Sequence, residues 1–146
     1  MSISRTFNGV VNKTSGQLSD IRKNQNAALE NLETNYRQIT LTAAAEASNA
    51  IVVTGAVTDA FGTAITAATS VLVRTLAVTA NAGDITVVSG TEVKTNNPAT
   101  GFNESWITTT SGGAFSVSVA NTNAEGTLVQ AMTNDGYCAH LVLTFA

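Results

Sequence analysis

The sequence predicts a mainly β protein: an antiparallel β-sandwich preceded by an N-terminal arm and one long α-helix. From Ile51 onward apolar and polar residues alternate, which is the pattern of half-buried strands. Turn residues recur there at roughly ten-residue intervals, as in small all-β domains. Before that region, apolar residues spaced by three and four indicate a helix with one buried stripe. We therefore expect an arm over 1–14, a helix over 15–40, a linker over 41–50 and the sandwich over 51–146.

The arm is sparsely apolar and weakly basic, with no sustained period. Such a segment does not fold alone in water, yet it is too apolar for a purely solvated tail. We expect it to anchor in an acidic groove of a larger assembly. The residues that would make this contact are Ile3, Arg5, Phe7, Val10, Val11 and Lys13.

The helix is expected to begin near Thr14, whose hydroxyl and Gln17 three residues later form a capping-box pattern. Two interpretations of its stripe stay open. The stripe packs on the sandwich, or it forms a short parallel coiled coil in a homo-oligomer, a trimer first and a dimer second. The residues of this oligomer seam would be Leu18, Gln25, Leu29, Leu32, Tyr36 and Ile39.

The sandwich should contain seven or eight short strands. Residues 114–120 alternate most cleanly, and residues 70–79 form the longest strand. The side chains expected to face the core are Val71, Val73, Trp106, Phe115, Val117 and Val119. The Asp residues at 59, 84 and 135 fall in predicted turns, where their side chains can accept backbone hydrogen bonds.

Several classes of function are not expected. The chain has one cysteine and one histidine, Cys138 and His140, so it lacks the ligand set of a structural zinc site. No catalytic or phosphate-binding motif is present, so we expect neither an enzyme nor a cofactor. There is no stretch of 18 apolar residues and no signal-peptide pattern, which argues against a membrane protein and for synthesis in the cytoplasm.

Charge is distributed unevenly along the chain. Residues 1–40 carry five Lys and Arg against three Asp and Glu, whereas residues 41–146 carry two against seven. The cations of the first segment are scattered, which does not favour a nucleic-acid partner. An acidic sandwich preceded by a mildly basic N-terminal segment favours docking on an acidic protein surface over binding to nucleic acid.

Two stretches resemble a known family. The glycines and alternating apolar residues of 53–65, together with the hairpin at 110–117, are similar to those of Ig-like and carboxypeptidase-regulatory-like β-sandwiches. Gly112 stands where that family usually has Asp, and the middle at about 80–105 is longer than usual. The resemblance implies an Ig-like sandwich over roughly residues 50–146.

Such sandwiches occur as accessory modules, and the architecture looks most like that of tailed-phage virion proteins. The implied function is a structural protein that decorates a capsid or belongs to a head or neck fibre, with a capsid, portal or other virion protein as its partner. The alternative is a carbohydrate-binding or adhesin module that recognises a host surface glycan. That alternative requires exposed aromatic or acidic residues on the loops at 80–84, 96–105 or 121–126.

Overall fold

The computed structural model describes residues 20–28, 37–78, 80–98 and 102–146. Residues 20–28 are helical and form α1. The chain divides into two units, Met1–Tyr36 and Arg37–Ala146. Nine strands lie in the second unit: β1 (Gln38–Ala43), β2 (Ala50–Thr58), β3 (Ser70–Ala77), β4 (Asp84–Ser89), β5 (Thr91–Asn96), β6 (Phe102–Thr108), β7 (Ala114–Ala120), β8 (Gly126–Thr133) and β9 (Cys138–Thr144).

The strands form two antiparallel sheets, a four-stranded sheet in the order β1-β2-β7-β4 and a five-stranded sheet in the order β5-β6-β3-β8-β9. Their inner faces share one apolar core, so the prediction of a β-sandwich is confirmed. Valine dominates that core because β-branched side chains suit the pleated strand surface. The largest fully buried apolar side chains are Val53, Val57, Val71, Val73, Ile85, Ile107, Phe115, Val117, Val119 and Val129.

The strand order has an Ig-like appearance. An immunoglobulin domain pairs strands A, B, E and D in one sheet and C, F and G in the other. Strands β1, β2, β7 and β4 occupy the A, B, E and D positions, and β3, β8 and β9 occupy the C, F and G positions. The long middle of the sequence forms β4, β5 and β6. Strands β5 and β6 extend the five-stranded sheet beyond β3. In an immunoglobulin variable domain the extra strands of that sheet precede strand D, whereas β5 and β6 follow β4 in the chain.

One glycine is required by the packing of the largest core side chain. Gly55 in β2 lies directly opposite Phe115 in β7. A Cβ on Gly55 would lie 2.1 Å from Cζ of the Phe115 ring, so the ring occupies the space that any other side chain would fill. Phe115 is 1% exposed. The ring is therefore folded across the backbone of the neighbouring strand.

Asp59 organises the turn that follows β2. Its Oδ1 accepts hydrogen bonds from the backbone N–H groups of Phe61 and Thr63, each at 2.8 Å. Burial of the carboxyl group raises its pKa, but hydrogen bonds from Thr63, Phe61 and Gly62 outweigh that effect, so the pKa of Asp59 is held below its usual value. The prediction that Asp59 is a turn former is confirmed.

The helix and linker boundaries require correction. Residues 38–43 form strand β1 and not the end of a helix, so the prediction of a long helix that reaches residue 40 was wrong. Part of the expected linker belongs to the same strand. Ile39 is 8% exposed and belongs to the sandwich core. Its β-branched side chain suits a strand and is buried there, so it is not available to a helical seam.

Trp106 also differs from expectation. It is 36% exposed, whereas Ile107 beside it is fully buried. The inward positions of β6 belong to Asn103, Ser105 and Ile107, so the strand has the opposite phase to the one predicted. The other five residues expected to face the core, Val71, Val73, Phe115, Val117 and Val119, are buried as predicted.

Candidate interaction face

The outward side chains of the five-stranded sheet form a surface that we call the outer face. Successive residues of a strand point to opposite sides, and the buried residues of β3, β6 and β8 identify the inward side. Apart from Ser70, Thr108 and Gly126 at the strand ends, nine outward residues remain on these three strands, and six of the nine are apolar. The nine residues are Leu72, Arg74, Leu76, Phe102, Glu104, Trp106, Leu128, Gln130 and Met132.

The strand register arranges the outer face in three rows. The first row joins Trp106, Leu72 and Met132, and the third joins Phe102, Leu76 and Leu128. Between them, the middle row joins Glu104, Arg74 and Gln130. On β9 the rows continue into Cys138, His140 and Val142. On the three central strands two apolar rows therefore flank one polar row, whereas β5 places Lys94 opposite Trp106 and Asn96 opposite Glu104.

Large apolar side chains of the outer face are open to solvent. Phe102 is 44% exposed and Val142 is 62% exposed. Val78 is 59% exposed and lies against Gly126 at the end of the third row. Contiguous exposed apolar side chains bordered by polar ones commonly mark interaction sites.

The two sheets differ in the chemistry of their outward sides. The four-stranded sheet presents mainly hydroxyl groups, including those of Thr40, Thr42, Thr54, Thr86 and Ser118. Two of its valines are also exposed, Val52 at 37% and Val88 at 58%. Short hydroxyl side chains are easily solvated and leave little apolar area exposed. The outer face of the five-stranded sheet is therefore the better candidate for contact with another molecule.

Arg74 lies at the centre of the outer face and is incompletely paired. Its Nη2 is 3.4 Å from Oε2 of Glu104, and its guanidinium carbon is 5.6 Å from the centroid of the Phe102 ring. Its Nε is buried and has no hydrogen-bond partner among the described residues. A guanidinium group has five N–H donors, so Arg74 retains donor capacity for a further acceptor.

The described residues give no support for catalytic or metal chemistry. They contain no group of three or more His, Cys, Asp or Glu side chains placed to hold a metal ion. Cys138 and His140 are exposed on the rim of the outer face, as expected for the less buried side of the last strand. A cleft of about 220 Å³ lies between residues 67–70, Asn134, Asp135 and Arg37. No helix in the described part of the chain is long and apolar enough to cross a membrane.

Most of the predicted site residues lie outside the described residues. This holds for the whole docking arm, Ile3, Arg5, Phe7, Val10, Val11 and Lys13, and for Leu18, Leu29, Leu32 and Tyr36 of the seam. Gln25 is exposed on α1. Ile39 lies in the core of the sandwich, in the second unit, whereas Gln25 belongs to the first unit.

The loops considered for ligand recognition use several of their polar groups internally. Glu125 accepts hydrogen bonds from the backbone N–H groups of Ala80 and Asn81, which ties two of the loops together. The side-chain amide of Asn97 bonds both the N–H and the C=O of Ile85. The aromatic residue of the 96–105 segment, Phe102, lies in strand β6 on the outer face and not in a loop.

The sequence analysis missed the outer face, although a signal for it exists. In β3 the residues Leu72 and Leu76 are apolar at positions where an outward side chain is usually polar. Leu128 and Met132 repeat this feature in β8. Because β3 and β8 are adjacent in the sheet but distant in the chain, only the fold brings the two signals together.

Comparisons with known proteins add little to this description. No protein-family model matches the chain, and no curated protein matches it. Among solved structures the chain is similar to the GAE domain of GGA2p from Saccharomyces cerevisiae. The sequence identity is 11%, the TM-score is 0.31, and the match covers 77% of this chain and 91% of that one. The assignment of the fold therefore rests on the strand order and the shared core.

Proposed function

We propose that this chain is a non-enzymatic structural protein of a tailed-phage virion, which attaches through residues 1–36 and displays the sandwich. The observation that supports the proposal is the boundary between Tyr36 and Arg37. The described residues of the sandwich core lie between Ile39 and Phe145, all in the second unit, and we propose that residues 1–36 have a role other than forming this core. Those residues are then available for attachment.

The described part of the first unit fits this role. In α1 the side chains of residues 22–28 are exposed, and only Ile21 is half-buried. A helix this short is marginal in water unless its side chains pack against something. A partner on a capsid or portal would supply that packing, with Phe7 and the other apolar residues of the arm as additional anchors.

Oligomerisation would strengthen such attachment. Burying two or three apolar side chains gives about 1.5–3 kcal/mol each, part of which is lost when the arm is ordered. A homo-oligomer, which we propose as a trimer first and a dimer second, would hold several arms at high effective concentration. With Ile39 in the sandwich core, the remaining candidates for the contact between protomers are Leu18, Gln25, Leu29, Leu32 and Tyr36.

The test is to delete residues 2–14 and to mix the truncated protein with virions that lack it. We expect attachment to fall by at least about tenfold, since the loss of one buried aromatic side chain already corresponds to that factor. Phe7→Asp should lower attachment similarly, whereas Asn8→Asp, which adds the same charge beside it, should change attachment little. Attachment of the truncated protein at the wild-type level would refute the arm as the anchor.

A second candidate function follows from the exposure of Trp106. A solvent-accessible indole could stack on the apolar face of a sugar ring, so we propose host-glycan binding as the alternative. The chain contains one tryptophan, so its fluorescence reports directly on this surface. Titration with host-surface oligosaccharides should shift the emission of wild-type protein, and Trp106→Ala should lose adhesion. An emission unchanged by every oligosaccharide would exclude this alternative.

A further inference from the structure

The arrangement of charge on the outer face is complementary to itself. Arg74 on β3 and Glu104 on β6 are neighbours in the middle row. Consider two copies packed face to face about a two-fold axis that runs along the strands, midway between β3 and β6. This rotation places β3 of each copy over β6 of the other. Arg74 of one copy then faces Glu104 of the second copy, and the reverse contact is formed as well.

Under the same rotation the apolar side chains of β6 and β3 face one another, whereas Met132 of β8 comes to face Lys94 of β5. Trp106 comes to face Leu72 of the second copy, and Phe102 comes to face Leu76 of the second copy. An axis that runs along β3 itself would instead stack Arg74 on Arg74 of the second copy, which like-charge repulsion disfavours. The pattern therefore selects the axis between β3 and β6.

Incomplete pairing of Arg74 supports the same contact. In the single chain its hydrogen bond to Glu104 is long, at 3.4 Å, and its Nε has no partner among the described residues. Because Nε is buried, a second carboxylate from above would bind the terminal N–H donors of the guanidinium group. Both side chains are partly accessible, at 38% for Arg74 and 24% for Glu104, so a second copy can reach them.

The size of the outer face sets the strength of the contact. Under this rotation β5, β6, β3 and β8 of one copy lie over the same four strands of the other, and β9 has no counterpart. Four strands about 4.8 Å apart and about six residues long, at about 3.3 Å per residue, cover roughly 19 by 20 Å. Two such faces present roughly 760 Å² of footprint, which is below the roughly 1,200 Å² of stable specific interfaces and is in the range of weak, transient ones. We therefore expect a reversible dimer with a dissociation constant of roughly 1–100 μM.

We propose that the outer face of the five-stranded sheet binds the outer face of a second copy of this chain, with reciprocal Arg74–Glu104 contacts at its centre. This surface lies entirely in the second unit, so the inference does not rest on attachment through residues 1–36. A glycan or an unrelated protein would have no reason to match a charge pattern that is complementary to itself.

The test uses the full chain and two charge variants, Glu104→Lys and Arg74→Glu. Each variant alone places like charges opposite one another, so the dissociation constant of the dimer should rise at least about tenfold. In an equimolar mixture, Lys at 104 of one variant faces Glu at 74 of the other, and the second contact keeps the native pair. Mixing should therefore restore association in sedimentation velocity, as a heterodimer. Mixing does not change contacts within each chain, so restoration cannot come from a repaired fold.

Matched controls and a second readout complete the test. Thr54→Lys and Thr86→Glu make the same kinds of charge change on the outward side of the four-stranded sheet, and neither should alter association. In wild-type protein, dilution should red-shift the emission of Trp106 and raise its quenching by acrylamide as the faces separate.

Failure of the mixture to associate while the wild type dimerises would overturn the reciprocal contact. Absence of any concentration-dependent doubling of mass in the wild type would overturn the dimer itself. If residues 1–36 form an oligomer of their own, dimerisation through the outer face should double the mass of that oligomer. Deletion of residues 2–14 should leave this concentration-dependent doubling of mass unchanged, so the test of the dimer is independent of the test of attachment.

Discussion

Gly55→Ala should destabilise the sandwich far more than the addition of one methyl group suggests. The new Cβ would lie 2.1, 2.3 and 2.7 Å from three carbons of the Phe115 ring. Carbon atoms in contact are normally about 3.5–4.0 Å apart. Phe115 is 1% exposed and belongs to the hydrophobic core, so the ring cannot move away without displacing other core residues.

The magnitude follows from overpacking of a dense core. Adding a methyl group to a well-packed interior typically costs about 1–3 kcal/mol, and this contact is severe, so we expect the upper part of that range. In a domain of this size the melting temperature should fall by roughly 4–20 °C. Thermal and urea denaturation of the full chain, followed by circular dichroism, would measure the effect.

A double-mutant cycle identifies the cause. Phe115→Ala alone should cost about 3–5 kcal/mol because it leaves a large cavity. In that background Gly55→Ala should become neutral or stabilising by about 0.5–1 kcal/mol, since the ring is gone and alanine loses less backbone entropy than glycine on folding. If Gly55→Ala melts within a degree or two of wild type, or costs the same with and without the ring, then Phe115 does not lie across Gly55.

Three further predictions concern the domain boundary, a turn and the outer face. A fragment of residues 37–146 should melt cooperatively. A fragment of residues 51–146 should melt at a lower temperature or without cooperativity, because it lacks β1 and the roughly 1.5–3 kcal/mol that burial of Ile39 contributes. Equal melting temperatures of the two fragments would show that β1 is dispensable. The pKa of Asp59 is lowered in the folded state, so its contribution to stability should be complete above about pH 4 and lost as the pH falls through the folded pKa. Asp59→Asn should therefore reduce the fall in melting temperature that the wild type shows at acidic pH. If that fall is unchanged in the variant, it arises from other carboxyl groups. Trp106→Ala should lower the free energy of unfolding by less than about 1.5 kcal/mol, because the side chain is partly exposed, and a loss near that of Phe115→Ala would place Trp106 in the core.

The sequence predicts which side chains of a strand face the core where the large apolar residues occupy only one of the two alternating sets of positions. In β7 the inward set is evident because Ser116 and Ser118 separate three large apolar residues. In β6 the sequence permits both phases, since Trp106 and Ile107 are adjacent and apolar. The observed phase buries Asn103, whose amide nitrogen donates to the backbone oxygen of Gly83 at 2.7 Å. That bond depends on a distant loop, so the phase could not be read from the strand itself.

The helix boundary was missed for a different reason. Ile39 continues the spacing of Leu32 and Tyr36, so it fits a helical stripe. It is also the first core residue of β1, opposite Val57 in β2. Tertiary pairing overrides local periodicity here, because strand β1 gains a complete ladder with β2.

The outer face could not be predicted because it requires the strand order. Its rows combine residues from β6, β3 and β8, which are neighbours in the sheet but not in the chain. The sequence shows the individual outward leucines of β3 and β8, but not that they adjoin Phe102 and Trp106. Residues 1–14 remain a prediction of the sequence, since they lie outside the described residues.

The central claim is that this chain is a structural component of a virion, and its most direct test is a count of its copies in purified particles. Quantitative mass spectrometry of tailed-phage virions from an infection that expresses the chain should find it in a fixed ratio to the major capsid or portal protein. That ratio should persist after repeated gradient purification and fall when residues 2–14 are deleted. Particles that contain no copies, or copies that wash away at the same rate with and without the arm, would contradict the account.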